Sequence, residues 1–334
     1  MAATPRERIS GVDTAWLRMD QPTNLMMIVG VMMFEGRLDP QAVRRTIAAR
    51  FLTFRRFGQR AVQDAAGAWW ESPEEFDLAA HVVAGKLPGR GGKRELERLV
   101  SELASTPLDP ARPLWQFHVI DNYAGGSALV LRIHHCYADG IALIQVMLSM
   151  TDATAKASLK APARKPRPAK DEAQGDFWAK LLEPVKGIAL EPAAAAQAMQ
   201  GMAGKGMEIA SEVARLVLMG RDTPTRFKGA LGERKVVAWA ESLPLDEVKA
   251  IGKALGCSIN DVLLSMAAGA LRDYLIAKGD AVESLEIRAI VPVNLRPPGS
   301  GAALGNHFGL VFLDVPVGME HPLERLYEVR RRMR

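Results

Sequence analysis

At 334 residues the chain is long enough for about two domains with their own cores. Hydrophobic residues make up 48% and charged residues 24%, the balance of a globular protein, and two cysteines cannot build a disulfide framework, so a reducing cytoplasm is the expected setting. The net charge of +5 suits an anionic lipid surface or a phosphate-bearing ligand and is too small to mark a nucleic-acid binder.

Residues 1–20 carry Arg6, Glu7, Arg8, Asp13 and Arg18 where a secretory signal would have an apolar run. No apolar run approaches the ~20 residues of a membrane-spanning helix. Residues 24–36 predict a buried strand. Asp39-Pro40 then opens a helix to about residue 52, with Asp as N-cap and Pro in the first turn. The basic cluster Arg55-Arg56-Phe57-Gly58-Gln59-Arg60 reads as a solvated helix end or as the source of an internal ion pair. Short strands over 61–71 and 78–83 precede an amphipathic helix over 92–106. Residues 114–120 form a strand that pairs, through a turn over 122–126, with the next apolar run. His118 on that first strand reads as structural.

The run Leu129-Val130-Leu131-Arg132-Ile133 predicts a buried strand, and it ends in His134-His135-Cys136-Tyr137-Ala138-Asp139-Gly140. Helical spacing (Leu143, Met147, Met150) resumes at once. Strand, polar turn and helix together present reactive groups at the end of a strand. Alternation puts His135 on the face of Leu129, Leu131 and Ile133 and His134 on the other, so the two histidines have different roles. An imidazole with a reference pKa near 6.5 suits general-base work on an alcohol or thiol. Asp139 can contact that imidazole or pair with an arginine to lock the turn. Gly140 removes a Cβ at a sharp turn and can offer a backbone N–H to a reacting carbonyl. Cys136 is discounted as a nucleophile, because His135 beside it faces away, and the same divergence argues against a metal site at His134, His135 and Asp139.

Residues 151–170 hold Lys156, Lys160, Arg164, Lys165, Arg167 and Lys170 with no acid after Asp152, as expected of a solvated mobile loop. Helices are predicted over 177–190 and 193–220, the second with a Met-rich stripe that reads as core packing or as a lipid- or substrate-facing surface. A strand is expected over 234–240 and a helix over 244–255 ending at Gly256. Ser258 and Asp261 resemble a capping box opening another helix, which gives Asp261 a structural role. Strands over 285–293 and 307–315 flank a Gly/Pro loop, and a helix begins at Pro322.

His134-His135-x-x-x-Asp139-Gly140 resembles the signature of the coenzyme A-dependent acyltransferase superfamily. The ordered set around it narrows the resemblance to the bacterial wax ester synthase/diacylglycerol acyltransferases. That set is Ile9-Ser10-x-x-Asp13-x-x-Trp16-Leu17, Met26-Met27-x-x-Gly30, Pro113-Leu114-Trp115, Asn260-Asp261, Val291-Pro292-Val293-x-Leu295-Arg296-Pro297 and Leu304-Gly305-Asn306, the last two forming the family's second-domain block. The resemblance implies an α/β fold of two chloramphenicol-acetyltransferase-like domains with mixed sheets facing across a channel. Residues 1–150 would be the first domain, 151–233 a basic loop with connecting helices, and 234–334 a second domain expected to be incomplete.

It further implies transfer of a fatty acyl group from acyl-CoA to diacylglycerol or a long-chain alcohol, with no cofactor and no covalent acyl-enzyme; no Gly-x-Ser-x-Gly occurs in the chain. His135 would be the base, His134 and Asp139 would hold the turn and tautomer, and Arg55 or Arg56 would pair with Asp139. Asn260 would lie near the reacting groups, with Pro113, Leu114, Trp115 and Arg296 in support. The expected location is cytoplasmic, peripheral to the membrane or to lipid inclusions. The competing readings are a condensation-type enzyme with another acceptor and an inactive truncated lipid-surface protein.

Overall fold

The computed structural model describes residues 6–152, 220, 222–295 and 304–334. The expected loop over 151–170, the helices over 177–190 and 193–220, and Arg296 lie largely or wholly outside the described residues. The chain divides into two compact units, the first taking in residues 1–215, 231–238 and 297–307, and the second 216–230, 239–296 and 308–334.

In the first unit, β1 (Glu7–Arg8), β4 (Gly67–Glu71) and β3 (Arg60–Asp64) form a small antiparallel sheet. The larger sheet has the order β2 (Met27–Phe34), β7 (Gly126–His134), β6 (Trp115–Tyr123), β5 (Val82–Gly85), antiparallel except for the parallel β5–β6 pair. This is the mixed α/β sheet expected. β7 sits inside it, flanked on both edges and buried at all nine residues, which is why its sequence runs nearly uninterrupted in apolar residues. Ala124 and Gly125, both at positive φ (49° and 84°), make the two-residue hairpin joining β6 to β7.

The α-helices of this unit among the described residues are α1 (Gly11–Met19), α2 (Pro40–Thr46), α3 (Leu78–His81), α4 (Lys93–Ser105) and α5 (Gly140–Ser149). α2 begins as expected, with Asp39 accepting from the N–H groups of Gln41 and Ala42 and Pro40 at the first position. Its core packs Phe51, Phe57, Trp70, Trp115, Phe117 and Tyr137, all essentially inaccessible to solvent.

Two expectations are corrected. Residues 78–81 are a helical turn capped by Asp77, and only then does β5 begin. Residues 234–240 join no sheet, because helix hydroxyls take the place of a neighbouring strand: Lys235 N–H donates to Ser105 Oγ (2.7 Å) and Val237 N–H to Ser101 Oγ (2.8 Å).

The second unit holds α6 (Leu245–Leu255), α7 (Ile259–Ala277), the antiparallel pair β8 (Ile287–Asn294) and β9 (Phe308–Val315), and α8 (Pro322–Arg332). Gly256, at φ 64°, ends α6 in the left-handed conformation that favours glycine. The capping box of α7 is complete. Asp261 N–H donates to Ser258 Oγ (3.1 Å), and Asp261 Oδ2 accepts from Ser258 N–H (2.7 Å). No single described helix is long and apolar enough to cross a membrane.

Candidate active site

β7 delivers the two histidines with strand pairing intact on both sides. His135 N–H donates to the Met26 carbonyl (2.8 Å) and His134 N–H to the Leu114 carbonyl (2.9 Å). Pro113-Leu114-Trp115 acts as a clasp on the turn that follows. Leu114 N–H donates to the Tyr137 hydroxyl (3.0 Å), that hydroxyl donates to the Gln59 carbonyl (2.7 Å), and the Trp115 indole N–H donates to the Phe57 carbonyl (2.7 Å). Tyr137, an unspecified position of the motif, is wholly buried on Phe57 and Trp70.

Asp139 is the N-cap of α5. Its Oδ1 accepts from Ala142 N–H (2.9 Å) and its Oδ2 from His307 N–H (2.9 Å). A parallel bridge between Ala138 and Gly305 brings residues 304–307 onto this turn. Leu304-Gly305-Asn306, expected in the second domain, therefore belongs to the first unit. Gly140 is exposed, its φ is not left-handed, and an added Cβ would meet nothing within 4 Å. The sharp-turn reason for glycine is corrected: neither its backbone conformation nor its surroundings require a missing Cβ.

His134 is buried. Its Nδ1 accepts from Cys136 N–H (3.1 Å), so the neutral ring carries its proton on Nε2, which lies 3.8 Å from Asp20 Oδ2. Burial holds its pKa down to about 4 against the pull of Asp20. Its backbone N–H and its ring are both tied to backbone groups around the turn.

His135 is half-buried and differently placed. Its ring stacks on Trp16, with centroids 4.1 Å apart and planes 17° from parallel. Its Nδ1 lies 3.0 Å from Asn306 Oδ1, and Asn306 Nδ2 donates to the His135 carbonyl (2.9 Å) and to Asp13 Oδ1 (2.6 Å). Asp13 is buried in α1, three residues before Trp16, which explains the spacing of the Ser10-x-x-Asp13-x-x-Trp16 motif. Burial raises the Asp13 carboxyl above its ordinary value, while Asn306 and Arg56 oppose the rise. Burial lowers the His135 pKa, and its own carbonyl, Asn306, Asp139 and Asp13 pull it back.

The expected pairing of Arg55 or Arg56 with Asp139 is corrected. Arg55 is exposed, whereas Arg56 lies 4.0 Å from Asp13 and 3.7 Å from Glu7 and covers the Trp70 ring. The buried acid it reaches is Asp13. Asn260 is exposed in the first turn of α7, in the second unit. The Cys136 thiol is buried and pushed well up in pKa, unlike an activated nucleophile. His118 faces Gln116 Oε1 (3.0 Å), which also accepts from Arg132, so it sits in a polar cluster on the sheet. Among the described residues no three His, Cys, Asp or Glu side chains are grouped to hold a metal ion. Sequence reasoning quoted Asp13, Trp16 and Asn306 only as motif letters and gave them no role.

Residues 9–263 match the family model described as the wax ester synthase/diacylglycerol acyltransferase catalytic domain. A curated protein of Mycobacterium tuberculosis, named a diacylglycerol O-acyltransferase, is 30% identical over 96% of this chain, which spans 70% of that relative's length. One of Mycobacterium bovis with the same activity in its name is 32% identical over 80% of this chain and 54% of its own. Among solved structures, the wax ester synthase/diacylglycerol acyltransferase from Marinobacter aquaeolei VT8 aligns with 98% of this chain and 71% of its own, at a TM-score of 0.64 and 20% identity. The first condensation domain of the calcium-dependent antibiotic synthetase aligns with 98% and 74%, at 0.58 and 18%. At these identities the two structures establish the fold alone.

Proposed function

Because the chain belongs to the wax ester synthase/diacylglycerol acyltransferase family, we propose that it moves a fatty acyl group from acyl-CoA to the free hydroxyl of diacylglycerol, with His135 as general base. A long-chain alcohol is the alternative acceptor. In the proposed reaction His135 takes the hydroxyl proton as the oxygen attacks the thioester carbonyl. The tetrahedral adduct then expels the CoA thiolate, which recovers that proton from the imidazolium. The ester bond forms as the thioester bond breaks, and no acyl-enzyme intervenes.

The observation that carries this reading is the contrast between the two histidines. His134 is fully packed and engaged at Nδ1 by a backbone N–H, whereas His135 is half-buried, held on Trp16 and engaged at Nδ1 by Asn306. A neutral, oriented imidazole is what a general base requires, and such a base is worth about 10²–10⁴-fold in rate. The reading is tested by offering the purified chain an acyl-CoA with diacylglycerol, a long-chain alcohol or a long-chain amine, and identifying the product by mass. Triacylglycerol as the main product is expected. Amide formation exceeding ester formation would move the chain to condensation-type chemistry.

A further inference from the structure

We infer that Asn306 and Asp13 are positioning residues that fix His135 in the tautomer protonated on Nδ1, leaving the lone pair on Nε2 for the acceptor hydroxyl. The inference rests on His135 being the base and assigns the groups that prepare it.

The amide of Asn306 can sit only one way round. The His135 carbonyl, 2.9 Å away, can accept but never donate, so the Asn306 NH₂ must face it. The same NH₂ meets Asp13 Oδ1 at 2.6 Å, a second acceptor when the carboxyl is ionised. Oδ1 is thereby turned to His135 Nδ1 at 3.0 Å, and two acceptors cannot share that contact, so Nδ1 carries the hydrogen; the ring's own backbone carbonyl also accepts from it and favours the same tautomer. Asp13 is itself located by Ser10 Oγ at its N–H (3.1 Å) and by Arg56 at 4.0 Å from its Oδ2. The chain of constraint runs from the start of α1 through Asn306 to the ring. A wrong tautomer presents an N–H to the substrate hydroxyl where a lone pair is needed, a fault that leaves geometry intact and rate low.

The test is a long-range ¹H–¹⁵N correlation on histidine-labelled full chain at neutral pH, which reports the tautomer of each ring independently of turnover. Wild type should show His135 as Nδ1–H, and Asn306→Leu should lose that form while kcat falls about 10²–10⁴-fold and KM stays within about twofold. Asp13→Asn supplies a carbonyl oxygen to the same NH₂ and should keep the Nδ1–H form. A wild-type ring protonated on Nε2 overturns the inference even if no variant folds. So does an Asn306→Leu protein that keeps Nδ1–H, or one that loses it with kcat within about threefold of wild type. Failure of the underlying base reading shows elsewhere, as acyl transfer retained in His135→Ala beside a wild-type ring that is Nδ1–H.

Discussion

Trp16 lies flat on the His135 ring, with centroids 4.1 Å apart, so α1 supplies both the surface under the imidazole and, through Asp13, the acid behind it. Stacked pairs are worth about 0.5–1.5 kcal/mol beyond the area they bury. Trp16→Leu should therefore cost stability in that range plus the lost packing, and it should lower kcat more than it raises KM, because the ring loses its orientation. Urea denaturation and steady-state kinetics on the same preparation check both. A variant with unchanged kcat would show that the stack serves packing alone.

Acyl transfer should have an acid limb below the ordinary imidazole value of 6.5, because burial lowers the His135 pKa. The base is neutral and competent above its pKa and is lost as pH falls through it. Asp13 and Asp139 both raise that pKa by their charge, so Asp13→Asn should move the limb further to acid. The kcat/KM profile from pH 4.5 to 8 measures this. A limb above 6.5, or one that moves to higher pH in the variant, would refute the assignment.

Asp139 satisfies two backbone donors with two oxygens, those of Ala142 and His307. Asp139→Asn has one oxygen and turns an NH₂ against one of these N–H groups. Leaving a buried donor unsatisfied costs about 1–3 kcal/mol, and the urea midpoint should fall accordingly, with activity falling alongside. An unchanged midpoint with lost activity would point to a direct role of Asp139 at the imidazole.

Folding stability should decline as pH drops from 6.5 toward 4. His134 and His118 are both held at about 4 by burial. In that window the unfolded chain binds protons that the folded chain refuses, so stability is full above 6.5 and lost on acidification. Asp13 acts in the opposite direction, because its folded pKa is raised. His118→Gln should flatten the decline measured by urea unfolding at pH 7, 5.5 and 4.5. A decline as steep in the variant as in wild type would remove His118 from the explanation.

The strand, turn and helix around residues 129–150 were legible because each leaves a local mark: a continuous apolar run, a polar turn with its cap, and helical spacing. The Ser258–Asp261 capping box was legible for the same reason. The Asn306 contact was not, since it joins residues 171 positions apart and nothing local in the 304–307 segment says which turn it meets. Arg55 and Arg56 are adjacent and alike in sequence. Only the fold shows that Arg56 reaches the buried Asp13 over Trp70 while Arg55 stays exposed. Residues 234–240 carry the apolar run of a strand, yet the hydroxyls of Ser105 and Ser101 take the N–H groups of Lys235 and Val237, a substitution that sequence pattern cannot register.

The most direct measurement is the initial rate of triacylglycerol formation from acyl-CoA and diacylglycerol by wild type and His135→Ala, with thermal unfolding of both followed alongside. The variant should unfold within a few degrees of wild type and lose about 10²–10⁴-fold in kcat, the contribution of a positioned general base. A folded His135→Ala chain that keeps more than about a tenth of the wild-type rate would contradict general-base catalysis by His135.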